Sequence, residues 1–244
     1  MLALAACSCA VAVDWDGLRR GTSSAYEAAV MANTPYAFFP LHDAPGTTNP
    51  VNLGPEGVQG IVMGGVTFNG SSASFDGTGY IDLGADYSFS GSKGLAPYTI
   101  EAWIAPSDDA PLMIQTILSE GTETSGGELN GYNLTVGPSE FGRGAGMSSC
   151  GVNFMIPSGG YHFAGVYDGM NSYVFINGVS AGASSCGSGN NPPLAQECGA
   201  SLLVGADPNM QNFFVGQISE LAIYQTTLTP SQILNHYNAG MSGP

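Results

Sequence analysis

The sequence predicts an all-β fold, a two-sheet antiparallel β-sandwich of the jelly-roll type, and three observations support this prediction. Short runs rich in Val, Ile, Phe and Tyr recur along the chain, and such residues suit a pleated, half-buried surface. The 36 Gly and 15 Pro residues are spread between these runs, which is typical of many turns and short strands. The strands have no helix between them to cover their apolar faces, so a second sheet must bury those faces.

The clearest strand pattern lies in residues 161–182, YHFAGVYDGMNSYVFINGVSAG. Asp168-Gly169 separates two aromatic and β-branched runs, and Asn177-Gly178 follows the second run. Both dipeptides favour hairpin turns because Gly adopts a positive φ without a steric penalty. We therefore predict an antiparallel meander at the centre of the fold.

The other elements follow in chain order. A capping box of Ser24 and Glu27 predicts a short helix over residues 25–31, which Thr34-Pro35 ends. Residues 43–65, 120–131 and 137–149 are rich in Gly, Pro, Ser or Glu and are predicted to be loops. The remaining predicted strands are residues 36–41, 66–68, 73–75, 79–83, 98–104, 113–119, 132–136, 152–156, 201–205 and 213–224.

A second helix is predicted at the C-terminus. Thr229 can cap it, Pro230 suits its first position, Gln232 completes a capping box and Gly240 can stop it. We expect this helix to press its apolar face onto the sandwich.

The charge of the chain excludes two classes of partner. Four residues are Lys or Arg and 19 are Asp or Glu, which gives a net charge of −15. Such a surface repels phosphate backbones and anionic headgroups, so we expect neither nucleic-acid binding nor membrane-surface binding.

We divide the chain into an N-terminal segment, residues 1–35, and a sandwich domain, residues 36–244. Residues 1–13 are apolar but too few to span a bilayer, and they lack the basic residues of a secretory signal. Leu4-Ala5-Ala6-Cys7 resembles a bacterial lipoprotein cleavage box. We interpret residues 1–35 as a segment that fastens the module to other protein subunits of an assembly.

Five cysteines are present: Cys7, Cys9, Cys150, Cys186 and Cys198. None has the spacing of a zinc site. Cys186 and Cys198 bracket a Gly-, Asn- and Pro-rich loop, and we predict a disulfide between them, with unpaired thiols as the alternative. The odd number leaves at least one cysteine without a partner in the chain.

Five motifs occur in an order that resembles laminin-G-like, concanavalin A-like jelly-roll modules of bacterial and phage proteins. They are residues 37–41, 75–83, 98–104, 162–178 and 215–237. The resemblance runs from about Tyr36 to Gly240 and implies the jelly-roll fold. Most of these positions are turns and core, so they carry little information about function. Related jelly rolls often bind calcium near loop rims, which makes Asp76, Asp82, Asp168 and Asp207 candidate ligands.

No catalytic residue is assigned. Glycosidases of this fold use clustered carboxylates, whereas Glu101 stands alone on its predicted strand beside Trp103, and we interpret it as a rim residue. We interpret His162 as structural and His236 as a surface residue of the last helix. The sequence therefore predicts a protein that is not an enzyme.

Two hypotheses for the function remain. The first is a non-catalytic structural or adsorption component of a larger assembly, such as a capsid decoration, fibre or tail appendage on the surface of a phage or virus particle. The second is a secreted or lipid-anchored bacterial carbohydrate-binding module at the cell surface. Host-surface glycans are the expected ligands, and the candidate binding residues are Tyr132, Tyr161, Asp207, Asn212 and Phe213.

Overall fold

The structure is a computed structural model that describes residues 24–85, 87, 89, 96–107, 113–123, 129–137, 139–145, 148–186 and 200–242. Within these ranges the chain forms two helices and fifteen strands. The helices are α1 (Ser24–Ala32) and α2 (Pro230–Met241). The strands are β1 (Ala37–Phe39), β2 (Ile61–Met63), β3 (Val66–Phe68), β4 (Ala73–Asp76), β5 (Tyr80–Asp82), β6 (Tyr98–Pro106), β7 (Gln115–Glu123), β8 (Leu129–Val136), β9 (Glu140–Ala145), β10 (Ser148–Asn153), β11 (Tyr161–Tyr167), β12 (Asn171–Ile176), β13 (Val179–Ser185), β14 (Leu202–Val204) and β15 (Val215–Tyr224).

The strands form two sheets. Sheet A has the order β13-β12-β11-β6-β15-β4-β3, and β1 also pairs with β15. Sheet B has the order β10-β9-β8-β7-β14-β5-β2. The pairings within both sheets are antiparallel. The predicted all-β sandwich is confirmed, and so is the predicted meander, which forms β11, β12 and β13.

Alternation along the strands decides which side chains lie between the sheets. On β6, Tyr98, Ile100, Ala102 and Ile104 belong to the core between the sheets. The intervening side chains, which include Trp103, point to the opposite face of sheet A. This outer face is apolar at Trp103, so another layer of structure must bury it.

The two helices cover part of the outer face of sheet A. Tyr26 and Val30 of α1 and Ile233 of α2 form a second buried cluster with Phe38 and Trp103. The predicted capping box of α2 is present, with Thr229 as the cap and Gln232 as its partner. None of the described helices is long and apolar enough to cross a membrane.

The N-terminal segment is described only from residue 24 onward. Its helix α1 packs on sheet A and contacts α2. Residues 1–23 lie outside the described ranges, so the anchoring role of residues 1–35 stays a prediction.

Two strands lie in segments predicted to be loops. Strand β2 is a three-residue strand at the edge of sheet B, and β9 has the sequence EFGRGA. The glycines of β9 are typical of a loop, but Gly142 has a packing role. A Cβ atom on Gly142 would lie 2.8 Å from Oδ1 of Asn133 on the neighbouring strand.

A disulfide joins Cys150 of β10 to Cys186, the residue after β13, with a Cα–Cα distance of 5.4 Å. The predicted Cys186–Cys198 pair is wrong in this structure, because Cys186 is already bonded; Cys198 lies outside the described residues. Closeness along the chain was the basis of that prediction. The fold instead brings β10 and β13, the edge strands of the two sheets, into contact.

We predict that reduction of the Cys150–Cys186 bond lowers the free energy of unfolding by about 4 kcal/mol, the chain-entropy value for a loop of this length. The bond closes a loop with a sequence separation of 36. Urea unfolding with and without dithiothreitol measures the loss, and the double variant Cys150→Ala/Cys186→Ala should reproduce it. Cys198→Ala is the control, which should unfold like the unmodified protein. Equal losses in Cys198→Ala and the double variant would contradict the Cys150–Cys186 assignment.

Candidate functional site

The loop between β14 and β15 is ordered by a single carboxylate. Asp207 is 4% exposed, and its Oδ1 accepts hydrogen bonds from the backbone N–H groups of Asn209 (3.0 Å) and Gln211 (2.7 Å). Its Oδ2 accepts one from Nδ2 of Asn212 at 2.7 Å. These bonds compensate for the strained left-handed φ angles of Met210 (58°) and Asn212 (46°). Asp207 therefore shapes the loop, and its oxygens are occupied by the loop itself.

The ordered loop places an aromatic ring beside a second one at the surface. Phe213 and Tyr80 are stacked with 6.5 Å between ring centroids and 24° between ring planes, and both are half-buried. Tyr80 points outward because the next residue of β5, Ile81, points into the core. The Tyr80 hydroxyl lies 3.5 Å from Sδ of Met210, which is 54% exposed. We call Tyr80, Phe213 and Met210 the aromatic platform.

An open groove of about 420 Å³ lies on sheet A where the helices do not cover it. Its polar side chains are uncharged: the hydroxyls of Ser74 and Ser107 and the amide of Gln217. The Ser72 hydroxyl donates a hydrogen bond of 3.2 Å to Oε1 of Gln217, which holds the amide in place. The groove is lined by Ser74, Phe75, Ala105, Pro106, Ser107, Gly159, Val215, Gly216 and Gln217.

The groove and the aromatic platform lie at the same end of the sandwich. Val215 lines the groove and follows Phe213 by two residues. Asp76 pairs with Val215, and only three residues separate Asp76 from Tyr80 of the platform. They belong to different sheets, because the groove opens on sheet A, whereas Tyr80 lies on β5 of sheet B, and the lining of the groove does not include Tyr80, Phe213 or Met210.

The five predicted binding residues divide into two groups. Asp207, Asn212 and Phe213 lie together in the loop between β14 and β15. Tyr132 and Tyr161 are fully buried between the sheets, where neither ring can stack on a ligand. The Tyr132 hydroxyl donates a hydrogen bond of 2.9 Å to the carbonyl oxygen of Tyr87. Both tyrosines were assigned from their closeness to loops, but the alternation of their strands points them into the core, and this part of the prediction is wrong.

The sequence pattern missed Tyr80 and the groove. Tyr80 lies on a three-residue strand, and its outward direction could have been inferred from the alternation with Ile81. The groove has no local sequence signal because its residues come from four separate segments of the chain.

Each candidate calcium ligand caps its own turn. Oδ1 of Asp76 accepts from the N–H and hydroxyl of Thr78, and Oδ1 of Asp82 accepts from the N–H of Gly84. Hydrogen bonds from Asn171 and Met170 outweigh burial and lower the pKa of Asp168. No three His, Cys, Asp or Glu side chains form a metal-binding group in the described part of the chain. Calcium binding stays a prediction without a site there.

A buried polar cluster lies beneath the helices, around Glu101. Its carboxylate accepts hydrogen bonds from Nδ1 of His236 at 2.9 Å and from the Tyr224 hydroxyl at 2.7 Å, while Nε2 of His162 lies 3.4 Å away. Glu101, His162 and His236 are all fully buried. The interpretations of Glu101 as a rim residue and of His236 as a surface residue are wrong, because two helices that are distant in sequence cover this face.

The hydrogen bonds of the cluster define the tautomer of His236. Nδ2 of Asn33 donates to the carbonyl oxygen of Ala29 at 3.0 Å and to Nε2 of His236 at 2.8 Å, so Nδ1 of His236 carries the proton that Glu101 accepts. Oδ1 of Asn33 accepts from Nε2 of Gln232, the capping-box residue of α2. The cluster thus connects α1, α2 and sheet A.

Glu101 is ionised in this environment. Burial alone raises its pKa, but hydrogen bonds from His162 and His236 outweigh burial and lower the pKa from 4.5 to about 2. The carboxylate is shielded by both helices and by aromatic rings, so a substrate cannot reach it without displacement of the helices. Its role here is to hold the helices on the sheet.

A family model described as the concanavalin A-like lectin/glucanases superfamily, of laminin G type, matches residues 75–234. The chain belongs to this superfamily. The match spans β6, β11 and β15 at the centre of sheet A and ends within α2. A search of curated proteins found no match to this chain.

Solved structures share the fold at low sequence identity. Domain 4 of AbnA, an extracellular arabinanase from Geobacillus stearothermophilus in complex with arabinotriose, is 20% identical with a TM-score of 0.62, covering 84% of this chain and 98% of that chain. The botulinum neurotoxin serotype C1 binding domain is 11% identical with a TM-score of 0.66, covering 86% of this chain and 53% of that chain. Trypanosoma rangeli sialidase is 13% identical with a TM-score of 0.58, covering 82% of this chain and 32% of that chain. These structures are similar to this chain in fold.

We predict that Glu101 makes this lectin-like sandwich sensitive to acid. Because the pKa of Glu101 is lower in the folded state, its contribution is complete above about pH 4.5 and is lost as the pH falls toward 2. The difference between pKa 4.5 and about 2 is worth about 3 kcal/mol. Urea unfolding between pH 6 and pH 2 should show that Glu101→Gln loses about 3 kcal/mol less over this range than the unmodified protein.

The comparison of the unmodified protein with Glu101→Gln isolates the contribution of Glu101 to acid sensitivity. Burial raises the pKa of Glu220, and the negative charges of Glu27 and Glu101 raise it further. Glu220 therefore favours the folded state at low pH, in the opposite direction to Glu101. Since Glu220 is present in both proteins, most of its effect cancels. Parallel pH profiles for the two proteins would contradict the role given to Glu101.

Proposed function

We propose that the protein is a non-catalytic carbohydrate-binding module, with the aromatic platform and the groove at the same end of the sandwich as its contact surfaces. The observation that carries this proposal is the stacked, half-buried pair of Tyr80 and Phe213, at the end of the sandwich where the groove with uncharged polar side chains also opens. Sugar rings present apolar C–H faces and hydroxyl edges. The aromatic platform matches the C–H faces, and the hydroxyl and amide groups of the groove match the hydroxyl edges.

The platform is pre-organised for binding. The carboxylate of Asp207 holds the loop through three hydrogen bonds, and the backbone N–H of Thr116 donates to the carbonyl oxygen of Asn212 at 2.7 Å. The position of Phe213 is thereby fixed before a ligand arrives. A rigid surface loses less conformational entropy on binding, which favours affinity.

The superfamily and the related structures support a binding role. The arabinanase domain was solved with arabinotriose, and another similar structure concerns botulinum neurotoxin type C, whose cell entry depends on interaction with two ganglioside molecules. We transfer from them only the general class of ligand. The Cys150–Cys186 disulfide is typical of proteins in oxidising compartments, which favours an extracellular or cell-surface location.

The absence of catalysis is part of the proposal. The lining of the groove contains no carboxylate, whereas glycosidases use a pair of carboxyl groups across the scissile bond. Glu101 is enclosed beneath the helices. We expect no release of reducing sugar when the protein is incubated with any oligosaccharide that it binds.

A role in a phage or virus particle stays a prediction from the sequence of residues 1–35. The structure describes this segment only from residue 24 onward. The two hypotheses share one element, since an adsorption protein would also bind host glycans through the platform and groove.

We predict that Phe213→Ala and Tyr80→Ala each weaken oligosaccharide binding at least tenfold, because each removes one ring of the stacking surface. A neutral glycan array should identify the ligand, with arabinotriose, cellotriose and maltotriose as the first calorimetric probes. Tyr173→Ala is the matched control: Tyr173 is also a half-buried aromatic residue, but it lies near the opposite end of sheet A.

Thermal unfolding of all three variants separates a loss of binding from a loss of folding. A similar loss of affinity in Tyr173→Ala would contradict the assignment of the platform. A complete lack of glycan binding, with and without calcium, would overturn the proposed function.

A further inference from the structure

We infer that this surface binds neutral glycans and discriminates against glycans that carry sialic acid, uronic acid or sulfate. The inference rests on the proposed function and specifies the class of its ligand. Its basis is the distribution of positive charge in the molecule, which is independent of the aromatic platform.

Positive charge is scarce in the whole chain. Four residues are Lys or Arg, against 19 Asp or Glu. Recognition of a carboxylate or sulfate commonly uses the guanidinium of Arg or the ammonium of Lys, which form the strongest hydrogen bonds to anions. A chain with a net charge of −15 also repels an approaching anion at long range.

The one basic residue in the described part of the chain is not available to a ligand. Arg143 is 1% exposed and lies in the core between the sheets, with its guanidinium carbon 3.9 Å from the centre of the Tyr167 ring. Arg19, Arg20 and Lys93 lie outside the described residues. Over the described surface, therefore, no Lys or Arg side chain reaches solvent.

The histidines do not replace the missing cations. His162 and His236 are fully buried in the Glu101 cluster. Burial lowers the pKa of His42 to about 4, so this side chain is neutral at pH 7.

The surroundings of the groove carry negative charge. Asp76 is exposed and pairs with Val215 of the groove lining. Asp207 lies in the loop that carries Phe213. A neutral sugar in the groove meets only hydroxyl, amide and apolar groups, whereas an anionic sugar would also be repelled by these carboxylates without a cation to offset them.

Matched pairs of glycans test the inference. Galactotriose and trigalacturonic acid differ mainly in charge, lactose and 3′-sialyllactose differ by one added sialic acid residue, and the array hit can be compared with its sulfated form. We expect the neutral member of a bound pair to bind at least tenfold more tightly at 20 mM NaCl. At 300 mM NaCl the difference should narrow, because salt screens the long-range repulsion.

A pair of charge variants tests whether the discrimination is local. Gln217→Arg places a cation in the groove and should raise the affinity for the anionic member at least fivefold relative to the neutral one. Gln225→Arg is the control: it makes the same substitution at an exposed position after β15, at the opposite end of that strand, and should change this ratio less than twofold.

The outcomes separate the two proposals. Preference for the anionic members would overturn the inference and leave carbohydrate binding in place. Binding of anionic members that requires calcium and is abolished by EDTA would also overturn it, because a bound cation would then supply the missing charge. Failure to bind either class would overturn the proposed function, and the inference with it.

Discussion

The ionised carboxylate of Glu101 is the interaction on which the outer half of the molecule depends. A buried charge is stable only when partners satisfy it, and the partners of Glu101 come from β15, β11 and α2. His236 in turn requires Asn33, the residue after α1. One carboxylate thus holds both helices over the same part of sheet A, and removal of any partner leaves an unpaired polar group beneath them.

The helices cover only one half of that face, and this creates the groove. Along β6 the outward side chain of Thr99 bonds the segment before α2, Glu101 and Trp103 lie beneath the helices, and the small side chain of Ala105 follows in the groove. Along β15 the large, buried Tyr224 lies at the covered end and Gln217 at the open end. The covered half provides stability, while the open half consists of short or uncharged side chains that a ligand can contact.

Runs of β-branched and aromatic residues with hairpin dipeptides between them predicted the sheets, and cap chemistry predicted both helices, because these signals are local. The same local reasoning failed wherever tertiary contacts determine which side chains are buried and which cysteines pair. Tyr132 and Tyr161 lie near loops but face the core, and His236 lies on a helix whose buried side depends on Glu101, 135 positions away. The partner of Cys186 is likewise set by the meeting of two edge strands. Of the site, the sequence pattern identified the Asp207 loop and Phe213, since a polar loop before an aromatic pair is a local signal.

The acidity of the surface follows from the chemistry of the turns. Asp76, Asp82, Asp168 and Asp207 each accept backbone N–H groups of the turn in which they lie, as aspartate does in short turns. A sandwich with many short connections therefore accumulates carboxylates at its loop ends. Since the groove and platform are uncharged themselves, the turns around them set the local potential. The residues that build the loops thereby also determine that the ligand best suited to this surface is an uncharged one.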